Sequence, residues 1–148
     1  MTQDITKLND LIQVLVDGQK FYEEAAPEVR PDLRQLFTNM ASTKGAIVAD
    51  LQRHVAAAGK DPEEGGSVTG SFLKLYAEVR TSIASDTNGE YVIQLESFED
   101  RILESFRDAA ANSDDPEVRA IAQRHLPQVT KDHDDMRALK RSAKAAAA

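Results

Sequence analysis

Apolar residues fall at helical spacing along four long stretches of the chain. Ile5, Leu8, Leu11, Ile12, Leu15, Gln19, Tyr22 and Ala26 line one face of a helix predicted over residues 4–26. Leu33, Leu36, Phe37, Met40, Ile47, Val48, Leu51 and Val55 do the same over 31–58, where Pro31 opens the helix and Gly59 closes it. Tyr91, Val92, Leu95, Phe98, Ile102, Leu103 and Phe106 stripe a third helix over 88–111. Val118, Ile121, His125, Val129 and Met136 stripe a fourth over 115–144, with Asp115 as N-cap and Pro116 in the first helical position. Pro127 falls opposite that apolar face, where a proline bends a helix around its core. The closing SAKAAAA is expected to fray. Between the second and third helices, DPEEGGSVTG (61–70) reads as a loop, and a short amphipathic helix is predicted over 71–83. No stretch alternates as a strand does. The pattern predicts one all-α domain over 1–148, a four-helix bundle whose long second connection carries a short extra helix.

Two charged residues break the apolar stripes. Glu99 lies within roughly 35° of the centre of the third helix's apolar arc. Lys44 lies among Met40, Ile47 and Leu51 on the second. Both sit near the midpoint of their helix, so they share a level whichever way the helices run. An isolated buried charge is costly, and the favoured reading is a core ion pair of Lys44 with Glu99, assisted by Gln19 and Tyr22. Such a pair fixes helix register more than it stabilises. Gly18 and Gly45, each in mid-helix, predict close helix approach.

A second constellation points to metal chemistry. Glu96 and Glu99 on the third helix, with Asp132 and His133 on the fourth, are candidate ligands, since carboxylate and imidazole suit iron, manganese or zinc. The plainer reading has His133 flanking the core and bonded to a neighbouring carboxylate. His125 is expected as a satisfied core histidine and His54 as a surface residue. An ammonium at Lys44 repels any divalent cation at the centre.

Composition narrows the function classes. The net charge of −7 argues against nucleic acid and against an anionic membrane surface. Without cysteine there is no disulfide and no thiolate chemistry. Residues 1–10 are polar, and no apolar run approaches the length of a membrane span. A soluble cytoplasmic protein is expected. No nucleophile–base grouping, phosphate loop or cofactor fingerprint is present.

PEVR occurs at 27–30 and at 116–119, each after a helix ending in FYEEAA or FRDAAA. This echo admits a duplicated hairpin, in which Lys44 would correspond to His133. LNDLIQVLVDGQKFYEEAA, EEGGSVTGSF, LESFEDRILESFRDA and the DPEVR corner leading to HDDMRAL together resemble a bacterial family catalogued as a domain of unknown function. Its members are ferritin-like four-helix bundles. The resemblance implies a ferritin-like fold and carries no catalytic motif. Di-iron bundles of that fold place a Glu on two helices and Glu-x-x-His on the other two. Here Leu51 stands three before His54 and Thr130 three before His133, so a dinuclear site is not expected. The expectation is a non-enzymatic structural or interaction protein, without cofactor, forming a homodimer through one bundle face. The alternative is a metalloprotein with a degenerate carboxylate–histidine site for iron or manganese, acting in iron handling or oxidative-stress protection.

Overall fold

The computed structural model describes residues 2–63 and 87–147. Four helices account for most of them: α1 (Thr2–Ala25), α2 (Pro31–Ala57), α3 (Thr87–Asn112) and α4 (Pro116–Ala147). No strand occurs among the described residues. The short helix expected over 71–83 lies outside them. No described helix is long and apolar enough to cross a membrane.

Each corner follows from local chemistry. Pro27 has no N–H to donate to the Glu23 carbonyl, so α1 stops at Ala25, one residue earlier than its stripe predicts, and a 3-10 turn (Ala26–Glu28) carries the proline. The Arg34 side chain donates to the carbonyls of Ala26 and Val29 at 3.1 and 3.2 Å, tying the corner to α2. α2 ends in a Schellman motif: Lys60 N–H bonds Val55 O at 3.2 Å and Gly59 N–H bonds Ala56 O at 3.0 Å. The motif needs a left-handed residue, and Gly59 supplies it at φ 77°. At the α3–α4 corner Asp115 Oδ1 accepts Glu117 N–H at 2.9 Å, the predicted N-cap. The two PEVR stretches play different parts, the first spanning the 3-10 turn and the second opening α4. At the far end α4 continues to Ala147 where fraying was expected, in keeping with the high helix propensity of its alanine run.

The side-chain contacts set the topology. Tyr22 stacks edge-on to Phe37 at 5.5 Å, and a Cβ at Gly18 would reach Lys44, so α1 and α2 run antiparallel. Phe21 packs on Phe98 at 5.3 Å while Gly18 faces Ile102, so α1 and α3 are also antiparallel. Asp50 meets His125 and His54 approaches Glu117, which makes α2 antiparallel to α4. It follows that α2 and α3 run parallel. The chain must therefore travel the length of the bundle between Ala57 and Thr87, which explains the long connection. Its first residues turn back along the bundle, where Glu63 is bonded by Asn9, Gln13 and Gln52.

The core has two parts. Leu8, Ile12, Leu15, Leu51, Val55, Ile102, Phe106 and Ile121 belong to one cluster. Phe21, Tyr22, Phe37, Met40, Tyr91, Leu95, Phe98 and Met136 belong to the other. The helices are continuous through both, and a polar layer lies between them.

Pro127 is exposed, on the solvent side of α4 as its position predicts. It leaves the Gln123 carbonyl without its helical donor. Pro127→Ala is expected to stabilise the protein by about 2 kcal/mol, somewhat less than the usual interior-proline cost. The urea midpoint should rise. A fall would show that the bend is required to hold Val129 and Met136 in the core.

Candidate functional site

The polar layer draws one side chain from each helix. Tyr22 comes from α1, Lys44 from α2, Glu99 from α3 and Asp132 from α4. Lys44 is 1% exposed and Glu99 fully buried. Lys44 Nζ lies 2.7 Å from Glu99 Oε2 and 3.3 Å from Asp132 Oδ2. The Tyr22 hydroxyl donates to Glu99 Oε2 at 2.5 Å, and the Tyr22 ring lies beneath the ammonium at 5.1 Å. Gln128 Nε2 donates to Asp132 Oδ1 at 2.9 Å. A Cβ on Gly18 would stand 3.6 and 3.7 Å from Lys44 Cε and Cδ and 3.2 Å from Ile102 Cδ1, so the glycine leaves room for the lysine stem.

The layer holds one cation and two carboxylates. Burial pushes the Glu99 carboxyl up, and nearby Asp132 adds to this. The Lys44 charge and the bonds from Lys44 and Tyr22 work against the rise without cancelling it. Burial, then the Glu99 charge, hold the Tyr22 phenol well above its ordinary 10.0, so it serves as a hydrogen-bond donor. Glu99 Oε1 accepts no hydrogen bond among the described residues.

Gln19 does not join this layer. It is half-buried in the groove between α1 and α2, and its amide lies across Gly45, where a Cβ would come within 2.9 Å of Nε2. The stripe placed it near the apolar arc, but the small residue opposite lets it turn outward. Asp132 joins Lys44 rather than His133, because successive helical residues diverge by about 100°. Asp17 is a further buried carboxylate, in a position the α1 stripe did not mark.

Glu96 and His133 do come together, with a third residue that the spacing had not singled out. Asp100 lies one turn beyond Glu96 on α3, and its Oδ1 is 2.6 Å from His133 Nε2. Ligand atoms of Glu96, Asp100 and His133 all lie within 4.8 Å of one another. An i, i+4 carboxylate pair facing a histidine is the signal that marks Asp100 in retrospect. Lys140 pairs with Glu96 Oε2 at 3.0 Å.

His125 is half-buried rather than a core histidine. Its Nε2 lies 2.6 Å from Asp50 Oδ2, which also accepts from Arg124 at 2.6 Å, while Asp50 Oδ1 accepts from Arg53 at 2.8 Å. His54, placed on the surface by its position, is also half-buried and lies 3.2 Å from Arg124 Nη2. Burial works against ionisation of Asp50, yet the bonds from His125, Arg124 and Arg53 hold its carboxyl well below the usual range.

Tyr22, Lys44, Glu96, Glu99 and Asp100 fall inside a family match. The model of the family described as Domain of unknown function (DUF2383) matches residues 3–112. The chain belongs to the DUF2383 family. No curated protein and no solved structure matches it. The DUF2383 match spans α1 to α3, whereas Asp132, His133 and Lys140 stand on α4, outside it.

Lys44→Met should destabilise by about 3 kcal/mol or more, since it leaves two buried carboxylates without their cation, and Glu99→Leu should cost less, since Asp132 still pairs with Lys44. The double variant should cost clearly less than the sum, as read from urea unfolding of all four proteins. Additive costs would show that the pair contributes nothing jointly.

The two shifted carboxyls predict opposite pH limbs. Glu99 keeps its proton to higher pH when folded than the 4.5 of an ordinary Glu, so its contribution falls as pH rises through the folded value. Asp50 contributes fully above 3.8 and loses that contribution as pH falls toward its lower folded value. Asp50→Asn should therefore be less stable than wild type near neutrality and converge on it in acid. A stability gap that stays constant below pH 3.8 would contradict the assignment.

Proposed function

We propose that this chain is a ferritin-like bundle with a non-enzymatic structural or interaction role, in which a lysine ammonium stands at the level where di-metal bundles hold their ions. The observation that supports this is the four-helix layer itself. Di-metal bundles of this fold aim carboxylates and histidines inward from all four helices. Here the inward set is Tyr22, Lys44, Glu99 and Asp132, and its cation is Lys44. A divalent ion placed among them would meet that ammonium within a few ångströms, in a medium of low dielectric. The polar groups are bound mainly to one another, and none pairs a nucleophile with a base. A layer of this kind serves to hold four helices in one register.

A second reading, a metalloprotein active in iron handling or oxidative-stress protection, draws support only from the Glu96, Asp100 and His133 group, outside this layer.

Elemental analysis of protein loaded with iron or manganese and then desalted is expected to find no tightly held metal pair. Two retained ions per chain, lost on Glu99→Gln, would overturn the non-metal reading of the core.

A further inference from the structure

We propose that Glu96, Asp100 and His133 form a site for an exchangeable first-row divalent metal ion on the α3–α4 flank, outside the central polar layer. This goes beyond the structural reading of the core and does not depend on it.

Three observations carry the inference. The first is donor geometry. Glu96 and Asp100 stand one turn apart on α3 and face the His133 imidazole from α4, with ligand atoms mutually within 4.8 Å. Ligands bound at roughly 2.0–2.2 Å lie about 3–4 Å from one another around a single ion, so small side-chain adjustments suffice. The second is burial. Glu96 is 5% and His133 6% exposed, which is unusual for a carboxylate and a histidine at a helix-pair surface, whereas the Asp100 side chain is 52% exposed. The site thus has a held interior and one open side. The third lies outside the ligand set. His133 Nδ1 is 3.1 Å from Asp134 Oδ1. A carboxylate on the far ring nitrogen is the arrangement that orients a metal-bound histidine and points Nε2 at the ion.

One nitrogen and two carboxylate oxygens select among cations. Calcium and magnesium prefer oxygen alone, whereas manganese, iron, cobalt and zinc accept the mixed set. Three protein ligands leave coordination positions facing solvent, as in exchangeable rather than closed structural sites. Lys140 competes for Glu96 at 3.0 Å, but its side chain is partly exposed and can swing into water. Binding therefore exchanges the Lys140 contact for the ion.

The test is titration of the metal-free full chain with Co(II), followed by visible absorption and by competition with Zn(II). Wild type should take up one Co(II) per chain with the spectrum of a nitrogen–oxygen site, and Zn(II) should bleach it. His133→Gln and Asp100→Asn should each weaken uptake by about 10-fold or more. Asp100→Asn changes an exposed side chain, so it keeps the test sound even if His133→Gln fails to fold, which circular dichroism reports. Lys140→Met should tighten binding several-fold by removing the competitor, and His125→Gln should leave it unchanged. Failure to bind Co(II) at millimolar concentration would overturn the proposal. So would uptake that both His133→Gln and Asp100→Asn leave intact. Uptake insensitive to those two variants but lost in Glu99→Gln would place the ion in the core, which overturns the structural reading as well.

Discussion

The contact between Lys44 and Glu99, 2.7 Å long and closed to solvent, is the constraint on which the bundle's geometry depends. Apolar stripes alone tolerate sliding, because one leucine or phenylalanine replaces another at small cost when helices shift by a turn. An ammonium does not tolerate it. A slip of one turn, about 5.4 Å, would carry Nζ away from both carboxylates and bury all three charges unpaired. Lys44 also reaches Asp132, and Glu99 also receives Tyr22, so the one layer sets the height of all four helices together. The cost is an over-supplied layer with two carboxylates to one cation: burial does most to push the Glu99 carboxyl up, and the second carboxylate, Asp132, adds to it.

Packing arranges itself around that layer. The aromatic residues gather on one side, where Phe21 meets Tyr91 at 6.2 Å and Phe98 at 5.3 Å. The cluster on the other side is mostly aliphatic. Gly18 belongs to the layer by subtraction, since its missing side chain is what lets the lysine stem cross between α1 and Ile102. The corners have a different duty. The Schellman turn after α2 and the Asp115 cap before α4 stop the helices within a residue or two of where the stripes end. That keeps the layer near mid-helix, farthest from the fraying ends.

Much of this was legible in the sequence because helical periodicity is a strong signal over stretches of twenty or more residues. All four helices appear within about three residues of their expected bounds, and Lys44 and Glu99 face each other as their mid-helix positions imply. The ligand assignments were less legible. Angular position on a wheel tells which residues lie near a core, but not which neighbouring helix they turn toward. Asp132 and His133 are adjacent in sequence, yet a helical step of about 100° sends one inward to Lys44 and the other outward to Asp100. Gln19 was misplaced for a related reason. It sits near the apolar arc, and only the partner surface, with Gly45 opposite, decides that it turns outward.

The same angular step separates two kinds of chemistry on one helix pair. Glu99 and Asp132 point to the centre, where both are buried and the cation they meet, Lys44, is covalently part of the chain. Glu96 and His133 point to the flank, where Asp100 opens to water and Lys140 is tethered only by a flexible stem. A fixed ammonium suits a task that must not vary, namely register. A displaceable one suits a task that must, such as exchange of a bound cation with solvent. With the fixed charge inside and the displaceable charge outside, an ion at the proposed flank site would exchange with Lys140 and leave the Lys44 contacts in place. Energetic coupling between the two would have to pass through the backbone of α3 and α4.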